Sequence, residues 1–120
     1  MRNLRRNILI GAALLAIAVV GSPLLIMGSL SNTATTVPEI HIKNFTFGPG
    51  SLKVKTGTAV TWINDDEEPH NVVNVGMPTR VFRSGGMDGD DRYSFTFDKP
   101  GTYQYICSVH PYMHGEVVVQ

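Results

Sequence analysis

From Glu39 onward the apolar residues recur at period two in short runs, and Gly or Pro interrupts most of them. That pattern confines the chain to strands joined by tight turns. Glu39 to Phe47 alternates, with Ile40, Ile42, Phe45 and Phe47 as inward positions, until Gly48-Pro49-Gly50 stops it. Leu52 to Lys55 turns through Thr56-Gly57 into Ala59 to Asn64, and His70 to Val75 is a further valine-rich run. Tyr93, Phe95 and Phe97 share one face, as do Tyr103, Tyr105 and Cys107, with Lys99-Pro100-Gly101 between the two runs. Glu116 to Val119 closes the chain, and Arg80 to Asp91 reads as an irregular loop. No stretch here has helical periodicity. Seven or eight short strands predict an all-β fold, a Greek-key antiparallel β-sandwich. All ten aromatic residues follow position 44, so the core belongs to this part.

The N-terminus differs in kind. Arg2, Arg5 and Arg6 precede an uncharged, mostly apolar run from Ile8 to Leu30. A bilayer-spanning helix needs ~20 such residues, whereas the apolar part of a cleaved signal takes about 7–15. Both readings fit, an uncleaved membrane anchor or a signal helix removed on export. Either leaves the arginines inside and carries the remainder out. The expected organisation is a leader at 1–30, a small polar linker at 31–36 and one domain at 37–120, on the periplasmic or extracellular side. The exported part carries seven basic against ten acidic residues, a net charge of −3. Nucleic-acid binding is excluded as a function, since phosphate neutralisation needs a basic stripe. The single cysteine excludes an internal disulfide.

The chemistry concentrates in Cys107-Ser108-Val109-His110-Pro111-Tyr112-Met113, where a thiol, an imidazole and a thioether follow a strand at intervals of three. Cys107 continues the face of Tyr103 and Tyr105, so its sulfur points inward, and a tight loop can fold His110 and Met113 back around it. His70, after Pro69, starts a distant run that a Greek key can bring to the same pole. Soft sulfur with two imidazoles suits copper, and His₂Cys with a weak axial Met is the electron-transfer arrangement. Zinc accepts Cys and His but makes little use of a thioether. A Cys–His nucleophilic pair is the enzymatic alternative, though no oxyanion donor accompanies it. His41 and His114 read as surface histidines, and Met77 and Met87 as loop or packing residues. Asp88-Gly89-Asp90-Asp91 lacks the glycine and terminal glutamate of a calcium loop and reads as a turn. Asp65-Asp66-Glu67-Glu68 is either a solvated turn or a patch that steers a basic partner.

Val60-Thr61-Trp62-Ile63-Asn64, Pro69-His70-Asn71-Val72-Val73, Gly101-Thr102-Tyr103-Gln104-Tyr105 and Cys107-x-x-His110-Pro111-Tyr112-Met113 together resemble the cupredoxin family. Among cupredoxins the likeness is to the amicyanins first, then to plastocyanins and pseudoazurins, and it spans Val37 to Gln120. The resemblance implies a Greek-key sandwich binding one type 1 copper through His70, Cys107, His110 and Met113. It also implies that Asn71 braces the ligand loop. Ile106 stands where plastocyanins carry a tyrosine used as a remote electron route, which leaves the edge of His110 as the expected exit.

The implied protein is a monomeric carrier of single electrons, not an enzyme. It would dock transiently with a redox donor and acceptor near His110, and would meet the membrane only through an uncleaved leader. A copper carrier or sensor that delivers the metal has the same ligands. A metal-free interaction module is the third class. A copper oxidase or nitrite reductase needs further copper centres, for which four histidines are too few.

Overall fold

The computed structural model describes residues 16–24, 28 and 36–120. The expected leader helix lies largely outside these residues, and those of 16–24 have no regular secondary structure. Among the described residues no helix is long and apolar enough to cross a membrane. The chain divides into two units, Met1–Thr33 and Ala34–Gln120.

Eight strands form the second unit: β1 Glu39–Lys43, β2 Thr46–Gly48, β3 Ser51–Val54, β4 Thr58–Asn64, β5 Val73–Val75, β6 Arg92–Phe97, β7 Gly101–Ile106 and β8 His114–Val119. They make two four-stranded sheets, ordered β2-β1-β4-β6 and β3-β8-β7-β5. The sheets are mixed rather than wholly antiparallel, because β1 runs parallel to β4 and β3 parallel to β8. The reason is topological. The chain leaves the first sheet through Gly48-Pro49-Gly50, adds β3 to the second, and returns to lay β4 beside β1 in the same direction. Alternation along one strand fixes which face is buried but not the direction of its neighbour.

Two expected runs are divided. Glu39 to Phe47 is a hairpin rather than one strand, with Lys43 opposite Thr46 and both Asn44 and Phe45 at positive φ (51° and 56°). Positive φ at both central residues belongs to the type I′ turn, whose twist suits a two-residue connection. Of His70 to Val75 only Val73–Val75 joins a sheet; His70 instead forms an isolated bridge to Met87.

The inward residues meet as expected from the period-two pattern. Trp62, Tyr105, Phe97 and Val60 are fully buried, and the Trp62 ring lies 5.4 Å from Tyr105 and 5.5 Å from Phe82. Phe82 and Met87 show that the 80–91 segment, although irregular, contributes to the core. Met77 by contrast is exposed. The aromatic layer gives both sheets a rigid floor, and the metal-ligating side chains predicted from the sequence stand at one end of it.

Candidate metal centre

Strand β7 delivers the thiol. Tyr103, Tyr105 and Cys107 share the inward face, and Cys107 is fully buried just past the end of the strand. The loop after it closes on itself. Met113 N donates to His110 O at 2.9 Å, and Cys107 N to Met113 O at 3.1 Å. The strand end and the start of β8 are thereby clamped together, with His110 at the crest and Met113 buried at the foot. Pro111 removes one donor that so tight a loop could not easily satisfy.

His70 arrives from the other side of the sandwich. Its backbone exchanges two hydrogen bonds with Met87, of 3.0 and 2.8 Å, and its ring is fully buried. Asn64, also fully buried, sets the approach to it. Its side-chain amide donates to the carbonyls of Glu68 and Met87, and its Oδ1 accepts from Asp66 N. Asn71 then joins the two ligand-bearing segments. Ser108 N donates to Asn71 Oδ1 at 2.7 Å, and Asn71 Nδ2 donates to Ser108 Oγ at 2.6 Å. The residue after His70 thus grips the residue after Cys107, which is the brace implied by the resemblance.

The donor atoms converge. One nitrogen each of His70 and His110 and the sulfur of Cys107 lie within 4.8 Å of one another, with His70 Nδ1 3.8 Å from Cys107 Sγ. The tautomer of His70 is set from behind. Its Nε2 lies 2.9 Å from Asp66 Oδ2; the carboxylate can only accept, so the contact favours a proton on Nε2 and turns Nδ1 toward the sulfur. Nδ1 of His110 is buried and has no hydrogen-bond partner. A buried imidazole nitrogen without a partner is costly, and a metal ion relieves it. Thiolate, two imidazoles and a nearby thioether form a donor set that fits copper.

Two functional residues were not identified as such in the sequence. Asp66 sits in the acidic run, yet it faces inward and accepts from Asn44 N and Phe45 N as well as from His70. Burial pushes its carboxyl pKa up, but these donors and the nearby imidazole outweigh that and hold it below the ordinary 3.8. Its spacing of four residues before His70 was the available signal. Phe45 is the other, with its ring edge-on to His70 at 5.1 Å and to His110 at 4.9 Å. No period-two reading could place it there, because the hairpin turn breaks the alternation. The rest of the acidic run divides. Asp65, Glu67 and Glu68 are all exposed, and Asp65 pairs with the side chain of His41 at 2.6 Å. Asp88 to Asp91 forms the expected turn, closed by Asp91 N on Asp88 O.

Comparison with known proteins places this geometry in a wider group. Residues 34–120 match the description of copper binding proteins of the plastocyanin/azurin family. Amicyanin-alpha of Methylorubrum extorquens is 39% identical over 92 residues, covering 68% of this chain and 71% of its own length. Amicyanin of Paracoccus denitrificans is 39% identical over 83 residues, which span 68% of this chain and 63% of that protein. Among solved structures, a purple cupredoxin from Nitrosopumilus maritimus superposes with a TM-score of 0.65 at 32% identity, covering 69% of this chain and 99% of its own.

Proposed function

The chain belongs to the copper-binding plastocyanin/azurin family, and we propose from that premise that it carries single electrons between redox proteins outside the cytoplasm. His70, Cys107, His110 and Met113 hold the metal. Copper bound there supplies a one-electron couple; everything else is the work of the protein. Cys107 provides the soft anionic donor and, through its covalent link to β7, the route into the sheet. His70 is oriented by Asp66 and His110 by its clamped loop, and Met113 supplies a weak sulfur ligand. Holding these four side chains on a packed sandwich keeps one geometry for both oxidation states, which lowers the rearrangement that accompanies electron transfer.

The observation that carries the reading is the convergence of donor atoms of His70, Cys107 and His110 within 4.8 Å, with His110 Nδ1 buried and without a hydrogen-bond partner. The burial of Cys107 and His70 supports retention of the metal over delivery of it to an acceptor, because release would require the loop to open. His110 is only partly buried, and exposed Val109 and Tyr112 flank it. This is the surface at which a donor and an acceptor would dock transiently on a monomer, bringing their centres near the imidazole. We read the protein as a carrier and not an enzyme, since a one-electron change at a single ion makes and breaks no substrate bond. The basic and then apolar order of 1–30 supports a leader, ahead of a linker at 31–36 and the copper domain at 37–120, with the domain on the periplasmic or extracellular side.

Titration with Cu(II) tests this. One equivalent should produce an intense visible thiolate-to-copper absorption that ascorbate bleaches reversibly and that Cys107→Ser abolishes. A colourless adduct, or one whose colour survives Cys107→Ser, would refute the reading.

A further inference from the structure

The Asn44–Phe45 turn has an anomaly that core packing does not explain. Both residues lie in the left-handed region, which suits Asn but strains a bulky aromatic. Such conformations persist where surrounding contacts enforce them. Here the enforcing contact is one carboxylate. Asp66 accepts from Asn44 N at 2.7 Å and from Phe45 N at 2.9 Å, and the oxygen that binds Phe45 also accepts from His70 Nε2 at 2.9 Å. The side chain of Asp66 is only 8% exposed, so water competes little for these three bonds. The turn they hold presents the Phe45 ring perpendicular to both imidazoles, at interplanar angles of 90° and 86°. That ring and Tyr112 both contact His110, whose inner nitrogen is sealed from solvent.

We propose that Asp66 and the Asn44–Phe45 turn form one latch over the metal centre, in which Asp66 is a positioning residue fixing His70 and Phe45 together and Phe45 is a shield that keeps small anions off the metal. The inference rests on the copper reading and adds a dependence that reading does not require. The strain in the turn and the orientation of a ligand are held by the same group, so loss of that group loosens both.

The test has a metal-free arm and a copper arm. In metal-free protein, nitrogen NMR of the His70 ring and amide exchange at Phe45 are measured for the parent, Asp66→Ala, Asp66→Asn and Phe45→Gly. Loss of Asp66 should let His70 populate both tautomers and should speed Phe45 exchange by about tenfold or more, the equivalent of one charge-assisted hydrogen bond. Asp66→Asn keeps an acceptor and should fall between. Phe45→Gly relieves the left-handed strain but removes a ring packed against the core, so its stability is measured alongside; because it keeps the backbone N–H that Asp66 binds, it should leave the His70 tautomer unchanged. In the copper arm, azide is titrated against the Cu(II)-loaded proteins. Phe45→Gly and Asp66→Ala should show azide-dependent spectral change at concentrations where the parent and Phe45→Leu show none. Copper affinity of Asp66→Ala should drop about 10–100-fold.

An unchanged His70 tautomer and unchanged Phe45 exchange in Asp66→Ala would overturn the latch. Equal azide resistance of Phe45→Gly and the parent would overturn the shield. If the parent itself takes up no Cu(II) colour, the electron-carrier reading and the shield fall together, and the metal-free arm still decides the latch.

Discussion

Gly115 is where one methyl group should do the most damage for the least chemical change. It stands on β8 directly opposite Tyr105 of β7. A Cβ added there would lie 2.5 Å from Tyr105 Cζ and 2.9 Å from Cε2, where carbon atoms normally rest ~3.5–4.0 Å apart. Relief therefore needs a shift of about 1 Å, and the ring has nowhere to go. It is fully buried, edge-on to Trp62 at 5.4 Å and to Phe47 at 4.8 Å. Overpacking of this kind costs about 1–3 kcal/mol. For a domain of this size each kcal/mol lowers the melting temperature by about 4–8 °C, so Gly115→Ala should melt roughly 5–20 °C below the parent. The displacement should also reach the metal centre, since Tyr105 lies two residues before Cys107 on the same inward face, and the visible band of the Cu(II) protein should shift. Scanning calorimetry with a double-mutant cycle is the assay. Shortening the partner in Tyr105→Leu should remove most of the penalty of Gly115→Ala, a coupling of the kind expected for residues in contact. A Gly115→Ala protein that melts within about 2 °C of the parent, or penalties that simply add, would refute the packing argument.

Burial pushes the Tyr105 hydroxyl up from 10.0 to about 12. The unfolded chain then loses this proton first. Stability should hold below about pH 10, fall by roughly 2–3 kcal/mol between about pH 10 and 12, and level above that. Urea titrations should show that Tyr105→Phe lacks this component, and an identical alkaline slope in parent and variant would count against it. Asn71→Ala removes both bonds to Ser108 and leaves its amide unpaired; a loss of about 1–3 kcal/mol with faster exchange at Ser108 is expected, and unaltered exchange would show that the brace is unimportant. Trp62→Ala empties the centre of the aromatic layer and should cost about 3–5 kcal/mol in chemical denaturation. Glu67→Gln with Glu68→Gln should flatten the salt dependence of electron exchange with a cationic metal complex; an unchanged slope would leave the acidic turn without a steering role.

The division of labour inside the acidic run follows from geometry. Four consecutive carboxylates look equivalent in a linear sequence, yet the exposed Asp65 meets a histidine, Asp66 turns into the fold, and Glu67 and Glu68 are exposed. The difference arises because Asn64 holds Asp66 N and the Glu68 carbonyl at once, forcing the run into a compact loop. Charge at this end of the molecule is thus partly structural and partly free.

Period-two alternation and Gly-Pro punctuation were enough to read an all-β domain, its aromatic core and the inward phase of Cys107, because strand faces are set by local backbone geometry. The intervals Cys107-x-x-His110-x-x-Met113 were likewise legible, since one tight loop holds all three residues. Sequence alone did not determine that β1 and β4, and β3 and β8, run parallel, because strand direction depends on how the chain crosses between sheets. The family resemblance names His70 as a partner of Cys107, but alternation and spacing alone could not place it there across 37 residues, nor reveal Asp66 and Phe45 behind the ligands. Those relations depend on a hairpin turn and a buried carboxylate that meet only once both sheets have packed.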